Sequence, residues 1–241
     1  MEKHTLPPTT DIDFHTKFCE ENYKDLFDRA ADMGFGCIVM EGIPNYIHRG
    51  KDIQSFSDKG HKTIVIPAQK VLWKATAKGF VEIPDPKSPE IPGEYEERTF
   101  NFTGELLSIL PTPHYSRFDG KHTHDLGILL RSIKKFRGIS ISLHNENNSL
   151  VPSYMLDDRR KYHFDCYRVI QNNDIEMRHE RRVCRELGQL PVFATGAEKP
   201  DDFQDISIFT TYDEEIRSRD DLIEAVKNRS SGFRDCIVDF N

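Results

Sequence analysis

The chain predicts an α/β fold: one β/α barrel of the TIM type, irregular in outline, with residues 1–241 as a single domain. Three observations point there. Short apolar strands alternate with amphipathic helices, the grammar that builds parallel sheets from βαβ units. Helix–Gly–strand phrases recur, as in Met33-Gly34 before Cys37-Ile38-Val39-Met40 and in CRELGQLPVFATG over 184–196. Charged or small residues also stand just past two strand ends, in LLSILPTPHYSRFDGKHTHDLGILL (106–130) and ATGAEKP (194–200). Barrels of this type build their sites at the carboxyl ends of strands.

The first unit is a strand over Asp11 to Phe14, then a helix from about Glu21 to Met33. Tyr23, Leu26, Phe27 and Ala30 recur there at three- and four-residue spacing and give one apolar face. Gly34 closes it, because a helix commonly ends on a residue that tolerates positive φ. Further strands are expected at Cys37 to Met40, Thr63 to Ile66, Leu106 to Leu110, Gly138 to Leu143 and Leu190 to Ala194. Helices fit Asp125 to Phe136, Asp157 to Gln171, Glu176 to Leu187 and Arg219 to Asn228. Five or six such units fall short of a closed eight-stranded set. Residues 74–100 break the rhythm with Pro84, Pro86, Pro89 and Pro92 amid acidic residues. Proline fixes φ and removes a backbone donor, so this stretch is expected as a loop or irregular excursion.

The formal net charge is −7, from 33 Lys plus Arg against 40 Asp plus Glu. Overall charge does not point to nucleic acid, so any RNA contact requires a local basic face. Five widely spaced cysteines without a CxxC argue against a disulfide framework and against a zinc knuckle. They read as reduced thiols. No signal-peptide core and no membrane-length apolar run is present, so an intracellular protein without membrane association is expected.

Three constellations could carry chemistry. Asp13-Phe14-His15 places two ligand-type residues at i and i+2 of a strand, on one side of a regular pleat. It resembles the first metal motif of the polymerase and histidinol phosphatase (PHP) phosphoesterases. That family's next motif falls on Glu41-Gly42, its third carboxylate on Lys70, and its closing Asp-x-His within Thr195 to Glu198. An ammonium repels a metal ion, and too few nitrogen and oxygen ligands remain for a multinuclear site. The expectation is no catalytic residue and no metal. The alternative is a divergent phosphoesterase holding Zn, Mn or Mg with Asp13, His15, Glu41, His124 and His144.

The second constellation is the loop with His114, Arg117, Asp119, His122 and His124. Arg117 and Asp119 could pair across its mouth, and His124 stands at a helix start, where the dipole's positive end lies. The third is the expected helix pair over Asp157 to Glu186, with Arg159, Arg160, Lys161, Arg168, Arg178, Arg181, Arg182 and Arg185. Tyr162, His163 and Tyr167 are interleaved, so phosphate contacts and base stacking are conceivable there. The acidic residues mixed among them equally describe a solvated face. No Walker loop, GxGxxG or GxSxG occurs.

The segments SILPTPHYSRFDGKHTHDLGILLRS, GISISL, SYMLDDRRKYHFDCYRVI and LPVFATGAEKP, in that order, resemble the ribonuclease P protein component 3 family. These are barrel subunits of archaeal and eukaryotic RNase P, themselves PHP-related without the metal ligands. The resemblance implies a non-catalytic subunit that supports the catalytic RNA in tRNA 5′-end maturation. It would pair with a small RNA-binding protein subunit and meet pre-tRNA indirectly. It places the RNA surface at Arg117, Asp119 and His124, with Gly196 and Ala197 as the small residues of the late loop. Arg159, Arg160 and Lys161 are further candidates for RNA contact. Asp201, Asp202 and Gln204 stand where the family carries an arginine. An archaeal-type member would be cytoplasmic, a eukaryotic one nuclear or nucleolar. Besides the phosphoesterase, a catalytically dead barrel used as a protein-interaction module is the remaining alternative.

Overall fold

A computed structural model describes residues 10–17, 23–41, 52–56, 60, 62–83, 94–111, 118, 122–143, 162–169, 182, 189–203, 208–212, 215–228 and 234–237. Eleven strands form one sheet among them. They are β1 (Thr10–Lys17), β2 (Cys37–Glu41), β3 (Ile53–Phe56), β4 (Lys62–Ile83), β5 (Glu94–Ile109) and β6 (Thr123–Asp125). β7 (Ile139–Leu143), β8 (Cys166–Val169), β9 (Leu190–Phe193), β10 (Ile208–Tyr212) and β11 (Arg234–Ile237) complete the set. The order is β11-β10-β1-β2-β4-β5-β7-β8-β9, with β3 and β6 each pairing with β4. Three helices are described: α1 (Tyr23–Asp32), α2 (Leu126–Lys135) and α3 (Arg219–Asn228).

The sheet curls. Interior residues of β1, β2, β4, β5, β7, β8, β9 and β10 meet in one apolar cluster that includes Ile12, Val39, Ile66, Leu107, Ile141 and Val192. β9 comes close to β1 and β10, so the two flanks of the sheet approach each other. No strand pairing joins β9 to β1 or β10 among the described residues, and the sheet is mixed. β1–β2, β2–β4, β7–β8 and β8–β9 are parallel, whereas β1–β10, β4–β5 and β5–β7 are antiparallel. The molecule is therefore a mixed α/β domain with a curled half-barrel sheet. This agrees with an irregular, PHP-like barrel, and among the described residues the sheet does not close into a full TIM-type barrel of alternating parallel units.

α1 and α2 cover the outer face. α1 buries Leu26, Phe27 and Ala30 against Ile38 and Met40 of β2 and Val65 of β4. Each large side chain so removed from water contributes about 1.5–3 kcal/mol. α2 sets Leu126, Leu129, Leu130 and Ile133 against Val71, Trp73 and Leu106. α3 instead joins the interior cluster through Leu222, Ile223 and Val226. Arg219 Nη1 donates to Leu110 O at 3.4 Å, just past β5, and Lys227 Nζ donates to Arg137 O, just before β7. α3 thus closes the end at which β5 finishes and β7 begins.

Two expected elements are corrected. Residues 74–100 are not an irregular loop at their two ends. Lys74 to Ile83 and Glu94 to Phe100 extend β4 and β5 as an antiparallel ribbon, Ala77 opposite Phe100 and Ile83 opposite Glu94. The prolines expected to break this stretch lie outside the described residues. The helix expected from Asp157 to Gln171 does not form over 162–169. Tyr162 to Phe164 are irregular and Cys166–Val169 is strand β8, paired with β7 and β9. Of the helix expected over 176–187, only Arg182 is described, and it is helical and exposed.

Candidate functional site at the carboxyl end of β2 and β4

β2 ends at Glu41, in register with Ala68 of β4. Ala68 faces the interior cluster, and alternation puts Lys70 on that same side two residues further along. Glu105 of β5 lies opposite Leu72 and shares the parity of the interior residues Leu107 and Ile109. The three charged groups meet at the mouth of the half-barrel. Lys70 Nζ is 3.3 Å from Glu41 Oε1 and 3.7 Å from Glu105 Oε2. Glu41 is 8% exposed, so its carboxylate depends on a compensating charge. Glu105 is a member that sequence reading missed; a single Glu in a strand carries no signal until β4 and β5 are known to pair.

Lys70 decides what this mouth suits. A divalent ion at Glu41 would have to displace an ammonium already seated on the carboxylate. No group of three or more His, Cys, Asp or Glu residues suited to a metal ion occurs among the described residues. Glu41, Lys70 and Glu105 form a salt-bridge network.

The remaining expected residues are distributed as follows. Asp13 and His15 lie in β1, with Asp13 in register with Ile38. The β1–β2 register shifts between Asp13 and Thr16, so three steps on β1 span two on β2. Such a bulge interrupts the simple i, i+2 alternation on which their shared facing was expected. His124 lies in β6, opposite Trp73. Its ring is edge-on to Phe118 at 6.4 Å, and Phe118 belongs to the outer cluster with Trp73. His124 therefore shares the Trp73 side of β4, whereas Lys70, three residues earlier, lies on the other. The neighbouring Asp125 caps α2, accepting from Ile128 N–H at 2.9 Å. In the late loop Gly196 has φ +68° and Ala197 N–H donates to Thr195 Oγ1 at 3.0 Å. Arg117, Asp119, His144, Arg159, Arg160 and Lys161 lie outside the described residues.

Two of the side chains for which base stacking is conceivable are buried. Tyr162 and Tyr167 are 3% and 5% exposed, with Tyr162 in the outer core and its hydroxyl donating to Thr76 O. Neither offers a face to a nucleotide. Cys37 and Cys166 are buried free thiols. No described helix is long and apolar enough to cross a membrane.

No family model matches the chain, and no curated protein matches it. Among solved structures, a protein from Bifidobacterium adolescentis ATCC 15703 described as a "putative metal-dependent phosphoesterase" aligns with 79% of this chain and 88% of its own. Its TM-score is 0.46 at 9% identity. PsfC from Pseudomonas syringae PB-5123 aligns with 89% of this chain and 88% of its own, at TM-score 0.54 and 9% identity. The likeness to PsfC is one of fold: the curled mixed sheet with its helices is an architecture this chain shares with a solved protein.

Proposed function

We propose that this chain is a PHP-like half-barrel that works by binding and does not hydrolyse phosphoesters. The observation that carries this reading is the Lys70 ammonium of β4 3.3 Å from the buried Glu41 carboxylate that ends β2, two positions on which the phosphoesterase metal pattern falls. The finer assignment, a subunit of an RNase P particle with a small protein partner and the catalytic RNA, rests on the sequence segments around 106–130 and 190–200. Under it Arg117, Asp119, His124, Arg159, Arg160 and Lys161 are the RNA-facing residues, and an archaeal-type member is cytoplasmic.

The test is turnover of chromogenic phosphomonoesters and phosphodiesters with Zn²⁺, Mn²⁺ or Mg²⁺. No metal-dependent turnover is expected; turnover abolished by His15→Ala would establish the divergent phosphoesterase instead. The RNase P assignment has its own measurement, sequencing of RNA that co-purifies with the protein from its own cells. Absence of RNase P RNA there would leave the protein-interaction module.

A further inference from the structure

We infer that the exposed face of α2, with the turn that ends it, is a docking surface for the phosphate backbone of a nucleic acid. Ile128, Arg131 and Lys135 line one exposed stripe of α2 at three- and four-residue spacing, with Lys134 beside it and Arg137 at its end. Neighbours at this spacing stand about 5–6 Å apart. Four cations fall within seven residues, and Leu126–Lys135 contains no carboxylate. Asp125, at the opposite end, is committed to the cap.

Five cations elsewhere in the molecule are paired. Lys70, Lys78, Arg98, Arg217 and Arg219 each sit on a carboxylate. Arg131, Lys134, Lys135 and Arg137 form no ion pair with any described residue. Among the described residues no carboxylate pairs with these four, in a chain of net charge −7. Lys227 joins them from α3 by donating to Arg137 O. Asp165 lies near Lys227, but its carboxylate accepts from Ser140 N–H and Oγ–H.

Backbone geometry adds an independent observation. α1 and α2 end in the same hydrogen-bonded turn. Gly34 N–H donates to Ala31 O and Phe35 N–H to Ala30 O; Arg137 N–H donates to Lys134 O and Gly138 N–H to Ile133 O. Both turns need a left-handed residue, φ +89° at Gly34 and φ +58° at Arg137. α1 uses glycine there, and α2 carries an arginine, which L-residue sterics disfavour. At a cost in backbone conformation, Arg137 thus adds a further guanidinium at the end of the cationic stripe.

Phosphate suits this patch better than an acidic protein does. Protein interfaces bury an apolar centre, and Ile128 is the one large apolar side chain exposed on α2. RNA as the polyanion rests on the binding reading above; the surface itself does not.

The experiment is anisotropy of the full chain with a fluorescein-labelled single-stranded RNA of about 20 nucleotides, titrated across salt. Each phosphate neutralised contributes about 0.7 to the slope of log affinity against log salt. Arg131→Gln with Lys135→Gln should lower the slope by about 1.4 and weaken low-salt binding about tenfold. Arg137→Gly should weaken binding while raising the melting temperature, which separates loss of contact from loss of fold. Unchanged affinity and slope in both variants, failure of the unaltered chain to bind, or equal displacement by polyglutamate of matched charge would each overturn the inference. Phosphoester turnover, measured separately, decides the binding reading whichever way the RNA titration falls.

Discussion

Arg219 and Asp52 form a buried clamp 167 residues apart in sequence. Asp52 Oδ2 accepts from Arg219 N–H at 2.7 Å, capping α3 from a distant segment, and Oδ1 lies 3.2 Å from Nη2. The Arg219 side chain is 2% exposed. Removing one partner of such a pair strands a charge away from water, whereas removing both is far milder. Asp52→Ala should therefore cost about 2–4 kcal/mol in urea unfolding. The double variant with Arg219→Leu should cost less than the sum of the two single changes. Additive costs would mean that the two residues act independently.

At the mouth, Lys70→Ala would leave Glu41 buried without its ammonium. A destabilisation of about 1–3 kcal/mol is expected, the range for loss of a charged partner by a buried polar group. Lys70→Glu should cost more at low ionic strength and be partly relieved by Mn²⁺, because three carboxylates would then face one another. Thermal melts with and without the ion read this. A Mn²⁺ shift of similar size in the unaltered protein would contradict the salt-bridge account.

Gly104 faces Trp73 across the β4–β5 pair. A Cβ there would lie 2.4 Å from Trp73 Cζ2, so the indole would have to move. Gly104→Ala should cost about 1–3 kcal/mol, the usual penalty for overpacking. Trp73 is the chain's single tryptophan and is 2% exposed, so its fluorescence reports the displacement directly. A red-shifted emission maximum is expected, and an unshifted maximum with full stability would show that the outer core yields without cost.

Tyr212 lies in the interior cluster, and burial, then the charges of Cys166 and Cys37, raises its pKa well above 10.0. Above that pH the unfolded chain loses the phenolic proton while the folded chain keeps it, so stability falls as pH rises. The contribution is intact below about pH 10 and lost progressively above it. Tyr212→Phe should flatten the alkaline limb of stability against pH. An unchanged limb would assign the alkaline loss to other groups.

Arg137→Gly should stabilise the fold by about 1 kcal/mol, since glycine takes the left-handed turn without steric cost. Equilibrium unfolding checks this. A loss of stability would mean that the Arg137 side chain is held by packing.

How much of this was readable beforehand depended on how local the cause is. α3 was expected over the residues it occupies, and α2 to within one residue at each end, because their apolar faces repeat at helical spacing. Gly34 as the end of α1 was equally local. The β4–β5 ribbon was not, since the four prolines at 84–92 dominate that stretch of sequence, while the strands on either side are specified by each other. The sequence at β8, Cys166-Tyr167-Arg168-Val169, has no alternation to distinguish it from helix; its strand character comes from pairing with β7 and β9. The site divides in the same way. Glu41 was legible as the end of a strand, whereas Lys70, expected just after one, lies inside the longer β4; their meeting requires the β2–β4 register, and Glu105 requires the β4–β5 register as well.

The pairing of β1 with β10 sets Ile12 beside Thr210, about two hundred residues further along the chain. During synthesis, a nascent chain that has released β1, β2 and β4 still lacks β10, and α3 has yet to cover the interior. Ile12, Val39 and Ile66 must wait, wet and sticky, until β10 and α3 have left the ribosome. Contacts of such long range slow folding and lengthen the interval in which apolar surface is open to wrong partners. The protein is thus one whose yield in the cell should depend on chaperone holding during translation, and whose early termination products should aggregate instead of folding in part.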